Sequence, residues 1–210
     1  MKSFKEFLLE TPLPDDWDGD VFDPKVSFAK RVEYAKSKAQ KIGSGSSRIA
    51  FIIPYQGRKT VLKVAKNAKG MAQNEAESEF LEDWYLSKLG ITIPMIDYDE
   101  KSSRPTWIHT EFATKAKDSD FKNACGGTLG DLIKYCAIHT NRKDTGLHGN
   151  PAKINNEAEL TSAMMDLVGS YDQIPLGDLS RLANWGIYKG DPVIIDLGLS
   201  SDVLTTYYSR

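Results

Sequence analysis

The sequence predicts an α+β protein in two lobes, and three observations carry that expectation. Two apolar, β-branched runs, 48–54 and 60–65, flank a turn at Gln56-Gly57, the pattern of a strand hairpin. A long helical periodicity follows over 70–89. After a mainly helical second half, a short hairpin returns near the C-terminus, with Ile187-Tyr188 and 192–195 as strands and Lys189-Gly190-Asp191 as turn.

Taken in order, residues 1–10 place Phe4, Phe7 and Leu8 at helical spacing, so a short amphipathic helix is expected there. A proline-rich acidic stretch, 11–20, separates it from the rest. Residues 24–41 read as a helix with Asp23 as N-cap, Pro24 in its first turn, and Val26, Ala29, Val32 and Ala35 on one face. In the 70–89 helix, Gln73, Glu77, Phe80, Leu81 and Trp84 share a face, while Glu75, Glu79, Glu82 and Asp83 lie mostly on the solvated side. Glu77 is therefore a carboxylate turned inward, which demands a partner, and Lys63 on the preceding strand is the obvious one. Strands are expected over 91–98 and 106–112, a helix capped by Thr128, a polar mobile loop over 141–156, and a helix over 158–168.

Composition narrows the function classes. The 210 residues suffice for one domain or two small lobes. A net charge of -2 gives no electrostatic case for nucleic acid or an anionic membrane. Two cysteines, Cys125 and Cys136, form no disulfide framework and point to a reducing compartment, and three scattered histidines argue against a zinc site. The sequence shows no apolar run of membrane-spanning length and no signal-peptide core.

Three ordered motifs carry chemistry. Gly43-Ser44-Gly45-Ser46-Ser47-Arg48 is suited to a flexible phosphate-covering loop, because backbone amides without a Cβ can approach phosphate closely; the same glycines would equally shape a plain hairpin turn. Lys63, flanked by Val61, Leu62, Val64 and Ala65, supplies a cation for phosphates if Glu77 fixes it, although most strand lysines are merely exposed. In the second half, Asp178 could accept or orient a hydroxyl proton, and Asn184 and Asp196, twelve residues apart at the ends of the hairpin, offer hard oxygen ligands for Mg²⁺. Asn184-Trp-Gly and Asp196-Leu-Gly would each pass singly as an ordinary turn. Their order and spacing make the pair informative.

With these residues in view, the chain from about Lys41 to Ser200 resembles the protein-kinase-like superfamily, which includes the aminoglycoside phosphotransferases. Within it, Val-Leu-Lys-Val-Ala-Lys-Asn, Ala-Gln-Asn-Glu-Ala-Glu and Asn-Trp-Gly look most like short kinase-like proteins of tailed bacteriophages. The resemblance implies a minimal two-lobed kinase-like fold with a reduced C-terminal lobe: residues 1–20 as an N-terminal helix and linker, 21–112 as the N-lobe, and 113–210 as the C-lobe with its metal hairpin. It implies ATP and Mg²⁺ as cofactors. Gly43, Ser44, Gly45 and Ser46 match the glycine-rich loop, Lys63 and Glu77 the phosphate clamp, and Glu111 the hinge strand whose backbone would hold adenine. Asp178 matches the catalytic aspartate, and Asn184 and Asp196 the metal ligands.

Three departures stand out, the first being Gly177 before Asp178 in place of the usual His/Tyr-Arg lead, although Gly-Asp does occur in the aminoglycoside branch. Asp178 and Asn184 are six residues apart, one more than the kinase catalytic-loop pattern, so a bulge or a shifted aspartate is expected. Only twelve residues follow Gly198, too few for a large helical lobe. Phosphotransfer is thus set beside two alternatives, a pseudokinase that binds nucleotide or a partner, and a structural virion protein. Leu8-Leu-Glu10 is similar to prohead-protease cleavage sites of large tailed phages, which implies a removable capsid address. Host cytoplasm or capsid is then the expected location, and a host or virion protein a possible partner.

Overall fold

The computed structural model describes residues 13–143 and 146–208; the amphipathic segment 1–10 lies outside them. The fold is α+β, as expected, with a five-stranded and a three-stranded sheet. The chain divides into two compact units, Met1–Glu75 with Met95–Phe112, and Ala76–Pro94 with Ala113–Arg210.

In the first unit, β1 (Gln40–Ser44), β2 (Arg48–Tyr55), β3 (Arg58–Ala65), β4 (Met95–Tyr98) and β5 (Trp107–Glu111) form an antiparallel sheet in the order β1-β2-β3-β5-β4. The β2–β3 hairpin closes where expected, on Gln56 and Gly57, both at positive φ (48° and 76°), the geometry that matches strand twist in a two-residue turn. Period-two alternation divides the sheet faces. Ile49, Phe51, Ile53, Leu62, Val64 and Trp107 are buried with Leu13, Trp17, Phe22 and Ala35. Ala50, Ile52, Val61 and Lys63 fall at the alternate positions.

The helix expected over 24–41 is shorter at both ends: α1 spans Phe28–Lys38. Asp23 does accept a backbone hydrogen bond, from Lys25 at 2.8 Å, but that closes a separate turn. Ser27 is the real cap, accepting from Lys30, and the buried Arg31 guanidinium fixes the turn by donating to the Val26 carbonyl at 2.8 Å. At the other end, Gln40 and Lys41 leave the helix because they pair with Ile52 and Phe51. Ladder hydrogen bonds outweigh a weak intrinsic preference.

The 70–89 periodicity is also interrupted. It resolves into α2 (Ala68–Glu82) and α3 (Trp84–Leu89), broken at Asp83. The Asp83 carboxylate accepts from Tyr85 and Leu86 amides at 2.8 and 3.0 Å and so starts a new helix. Trp84, expected on the buried face, is consequently 67% exposed, while Glu77 is wholly buried as its pattern predicts.

The second unit holds α4 (Asp118–Cys125), α5 (Leu129–His139), α6 (Glu159–Ser170), α7 (Leu176–Leu179) and α8 (Ser201–Tyr207) around a core that includes Phe121, Leu132, Ile133, Met164 and Leu167. Its sheet orders β6 (Thr114–Lys115), β7 (Trp185–Tyr188) and β8 (Asp191–Ile194). Thr128 caps α5 as expected, and Asp131 completes the capping box by accepting from the Thr128 amide at 2.9 Å. Burial opposes the Asp131 charge, but hydrogen bonds from Asn150 and Thr128 outweigh it and hold its carboxyl below the usual carboxylate range.

The described part of the loop expected to be mobile, 141–156, is instead tied down. Asn150 donates its amide to Asp131 at 2.5 Å and Asn155 donates to the Cys125 carbonyl at 2.9 Å. Gly149 packs so closely on α5 that a Cβ there would lie 2.5 Å from the Gly130 carbonyl oxygen. Polar composition marked this loop as mobile; most of its described residues are exposed, but its Asn150 and Asn155 amides are spent on Asp131 and the Cys125 carbonyl. Among the described residues, no helix is long and apolar enough to cross a membrane.

Candidate functional site

The second unit holds Asp178, Asn184 and Ile195, the residue before Asp196, together through hydrogen bonds made by Asn184. Asp178 lies in α7, and a 3-10 turn, Leu182–Asn184, leads directly into β7. Asn184 donates Nδ2 to the Asp178 carbonyl at 3.0 Å, and its own carbonyl accepts from the Ile195 amide at 2.8 Å. The first bond turns Asn184 back onto the aspartate loop. The second places Asp196 one residue beyond Asn184's backbone partner. The hairpin register, Trp185 against Ile194 with Lys189 and Gly190 at positive φ in the turn, then sets both motifs at the same end of the ribbon.

The six-residue spacing is absorbed by these two helical turns, with Arg181 donating its amide to the Asp178 carbonyl at 3.1 Å. Asp178 is 9% exposed, and Arg181 Nη1 lies 3.7 Å from its carboxylate. Asp196 is half-buried and accepts from the Gly198 amide at 3.2 Å, so Leu-Gly following it serves to orient the carboxylate.

Trp185 and Gly186 explain the rest of the Asn-Trp-Gly motif. Trp185 is buried, donates Nε1 to the Leu179 carbonyl at 2.8 Å, and meets Phe121 edge-on at 5.1 Å. A Cβ on Gly186 would lie 2.6 Å from the Ala113 Cβ and 2.9 Å from the Thr114 carbonyl, so only glycine lets β6 approach.

In the first unit, Gly43, Ala50, Lys63 and Ile108 stand in register across four strands. Ala50, with Gly43 beyond it, thus lies on one side of the lysine and Ile108 on the other, on the sheet face opposite the aromatic core. Lys63 is 8% exposed; Glu77, on the part of α2 that belongs to the second unit, is 0% exposed. Glu111 ends β5 and pairs with Arg58 at 2.9 Å, so its side chain is committed to the sheet.

The glycine-rich segment differs from the flexible loop expected. Gly43 and Ser44 belong to β1, and the turn beyond them is tethered. Lys66 Nζ donates to the Gly45 carbonyl at 2.7 Å and Asn67 Nδ2 to the Ser46 carbonyl at 3.3 Å. The Ser47 hydroxyl donates to Gln73, and Arg48 reaches Asn74 Oδ1 at 3.3 Å. Gly70 permits the docking: a Cβ there would sit 2.2 Å from the Ser47 carbonyl oxygen. Sequence reasoning missed Lys66, Asn67 and Arg181, and also Arg142, which follows α5. The Lys66-Asn67 pair directly after a strand was a readable turn signal; Arg142 had none.

Among solved structures, the chain is similar to aminoglycoside phosphotransferase APH(4)-Ia, with 18% identity and a TM-score of 0.29 over 55% of this chain and 38% of that one. Two thermostable mutants of that enzyme, one in ternary complex with ADP and hygromycin B and one with AMP-PNP and hygromycin B, align at 14% identity with TM-scores of 0.34 and 0.35. Each alignment covers 78% of this chain and 67% of the other. The chain therefore spans well under half of the first of these proteins. No protein-family model and no curated protein matches it.

Proposed function

We infer that the chain is a kinase-like phosphotransferase using ATP with Mg²⁺. The observation that carries the reading is the convergence of Asp178, Asn184 and Asp196 on one loop and hairpin. Phosphoryl transfer needs positioned charge more than covalent help from the protein, and this is the set of groups it uses. Asp178 takes the proton of an attacking hydroxyl. Asn184 and Asp196 hold the metal: Asn184 Nδ2 is spent on the Asp178 carbonyl, which leaves Oδ1 as a neutral ligand beside one carboxylate. Two hard oxygen ligands suit Mg²⁺, which completes its shell with phosphate and water. When bound, the ion supplies neutralisation of phosphate charge.

In the same reading, the turn of Gly43, Ser44, Gly45 and Ser46 covers the phosphates, with the Gly45 amide already given to the Arg48 carbonyl at 3.0 Å, Lys63 held by Glu77 supplies the cation, and the backbone at Glu111 holds adenine. The half-buried, apolar positions Ala50 and Ile52 on the Lys63 face suit a flat base.

The test is transfer of the terminal phosphate of ATP to a hydroxyl acceptor, including the chain itself. Wild type should turn over, and Asp178→Asn should lower kcat by roughly 10²–10⁴-fold, the span of general-base contributions. A pseudokinase is the second reading, favoured by the Arg181–Asp178 pair, which occupies the base. Nucleotide binding without turnover in the wild type would select it. The likeness to tailed-phage proteins extends the proposal to a phage-encoded chain acting in host cytoplasm or packaged in the capsid, with a host or virion protein as partner. Loss of residues 1–10 on packaging would appear in virion mass spectra as a chain beginning at Thr11; an intact Met1 would exclude it.

A further inference from the structure

The segment that delivers Asp178 is held in an unusual way. Four consecutive carbonyls, from Tyr171 to Ile174, accept hydrogen bonds from two side chains distant in sequence. Arg142 donates Nη1 to Tyr171 at 3.3 Å, and Nη2 to Asp172 at 3.0 Å and Ile174 at 2.9 Å. Nη1 also lies 3.5 Å from the Val168 carbonyl in the last turn of α6. The Gln173 carbonyl accepts from both the amide and the hydroxyl of Ser201, at 2.8 and 3.1 Å. Connecting segments ordinarily give such carbonyls to water. Here they are gathered onto a rigid planar fork, at a helix C-terminus where a cation is favoured.

The two anchors come from informative places. Arg142 follows the left-handed turn at Asn141 (φ 56°) that ends α5, and its amide is fixed to the Ala137 carbonyl at 3.0 Å. Ser201 opens α8, five residues beyond Asp196. The carbonyl run ends at Ile174, and Pro175 accepts the Asp178 amide at 3.0 Å to begin α7. The clamp therefore bonds the approach to Asp178 on one side to the chain just beyond Asp196 on the other.

We propose that Arg142 is a positioning residue: by gathering the Tyr171, Asp172 and Ile174 carbonyls it fixes the angle at which α7 presents Asp178, and Ser201 ties the Asp196 segment to the same anchor. The catalytic consequence rests on the phosphotransferase reading; the clamp itself does not.

The experiment pairs hydrogen exchange with kinetics, in the full chain, for Arg142→Gln and the milder Ser201→Ala. Charge-assisted bonds hold the segment, so Arg142→Gln should speed exchange in peptides covering 171–184 by about tenfold or more, with α5 and α6 interiors unchanged. Ser201→Ala should do the same to a smaller degree. In an active wild type, Arg142→Gln should lower kcat by roughly ten- to a hundredfold with KM for ATP unchanged, as expected of a displaced base. Unchanged exchange at 171–184 overturns the clamp. Exchange rising throughout the unit in both variants overturns local positioning in favour of general stability. Local loosening with unaltered kcat overturns the catalytic role. If the wild type transfers no phosphate, the phosphotransferase reading fails, while the exchange data still decide the clamp.

Discussion

Trp185→Ala is expected to be among the most damaging single changes to the second unit. The side chain is 1% exposed, packs edge-on against Phe121, and is bonded to the Leu179 carbonyl. Removing a buried tryptophan costs about 3–5 kcal/mol from lost burial and the cavity left behind. The stranded carbonyl adds roughly 1–3 kcal/mol where water cannot reach it. Against a total stability of about 5–15 kcal/mol, that is a large share. At roughly 2–4 °C per kcal/mol for a chain of this size, thermal melting should fall by about 10 °C or more. Trp185→Phe keeps most of the apolar volume but not the N–H donor, so it should lie between the two. The comparison separates packing from hydrogen bonding. A loss of under ~2 °C in Trp185→Ala would show that the Asn-Trp-Gly motif is not anchored by its tryptophan.

That anchoring explains why the motif was readable before the structure. Trp185 and Gly186 are constrained by packing, Asn184 by its bonds to Asp178 and Ile195, and the two-residue turn by positive φ. Each constraint leaves a local mark in residue type, and the β7–β8 hairpin was accordingly expected within a residue or two. The β2–β3 hairpin was legible for the same reason. Other features depend on competition that local pattern does not record. The helix expected over 24–41 loses its last residues to β1 because a partner strand is available, and the helix expected over 70–89 breaks because Asp83 bonds its own following amides. The glycine-rich turn looked free, yet its tethers come from Lys66, Asn67 and Gln73, more than twenty residues away. Arg142 was invisible for a related reason. Its partners are carbonyls, which every residue carries, so neither composition nor spacing points to it.

The candidate site residues stand in the sequence as types in order: a lysine in an apolar strand, an inward glutamate, an aspartate, an asparagine and a second aspartate. Burial of Lys63 and Glu77 accords with the inward pattern, since neither charge is left at the surface without cause. Their joint service to a nucleotide is the proposal, and it has a direct physical consequence.

A ligand that binds only the folded state stabilises it by RT ln(1 + [L]/Kd), about 2.7 kcal/mol at a hundred times Kd. Thermal melting of the wild type with saturating ATP and Mg²⁺ should therefore rise by roughly 5–10 °C. EDTA should remove most of that rise, and adenosine, lacking phosphates, should give far less of it. Asp196→Ala loses at least the bond from the Gly198 amide, so its own ligand-free melting temperature is the baseline for that variant. Its Mg²⁺-dependent rise should vanish. A wild type whose melting temperature ignores millimolar ATP with Mg²⁺, or an Asp196→Ala variant stabilised as fully as the wild type, would contradict the nucleotide site.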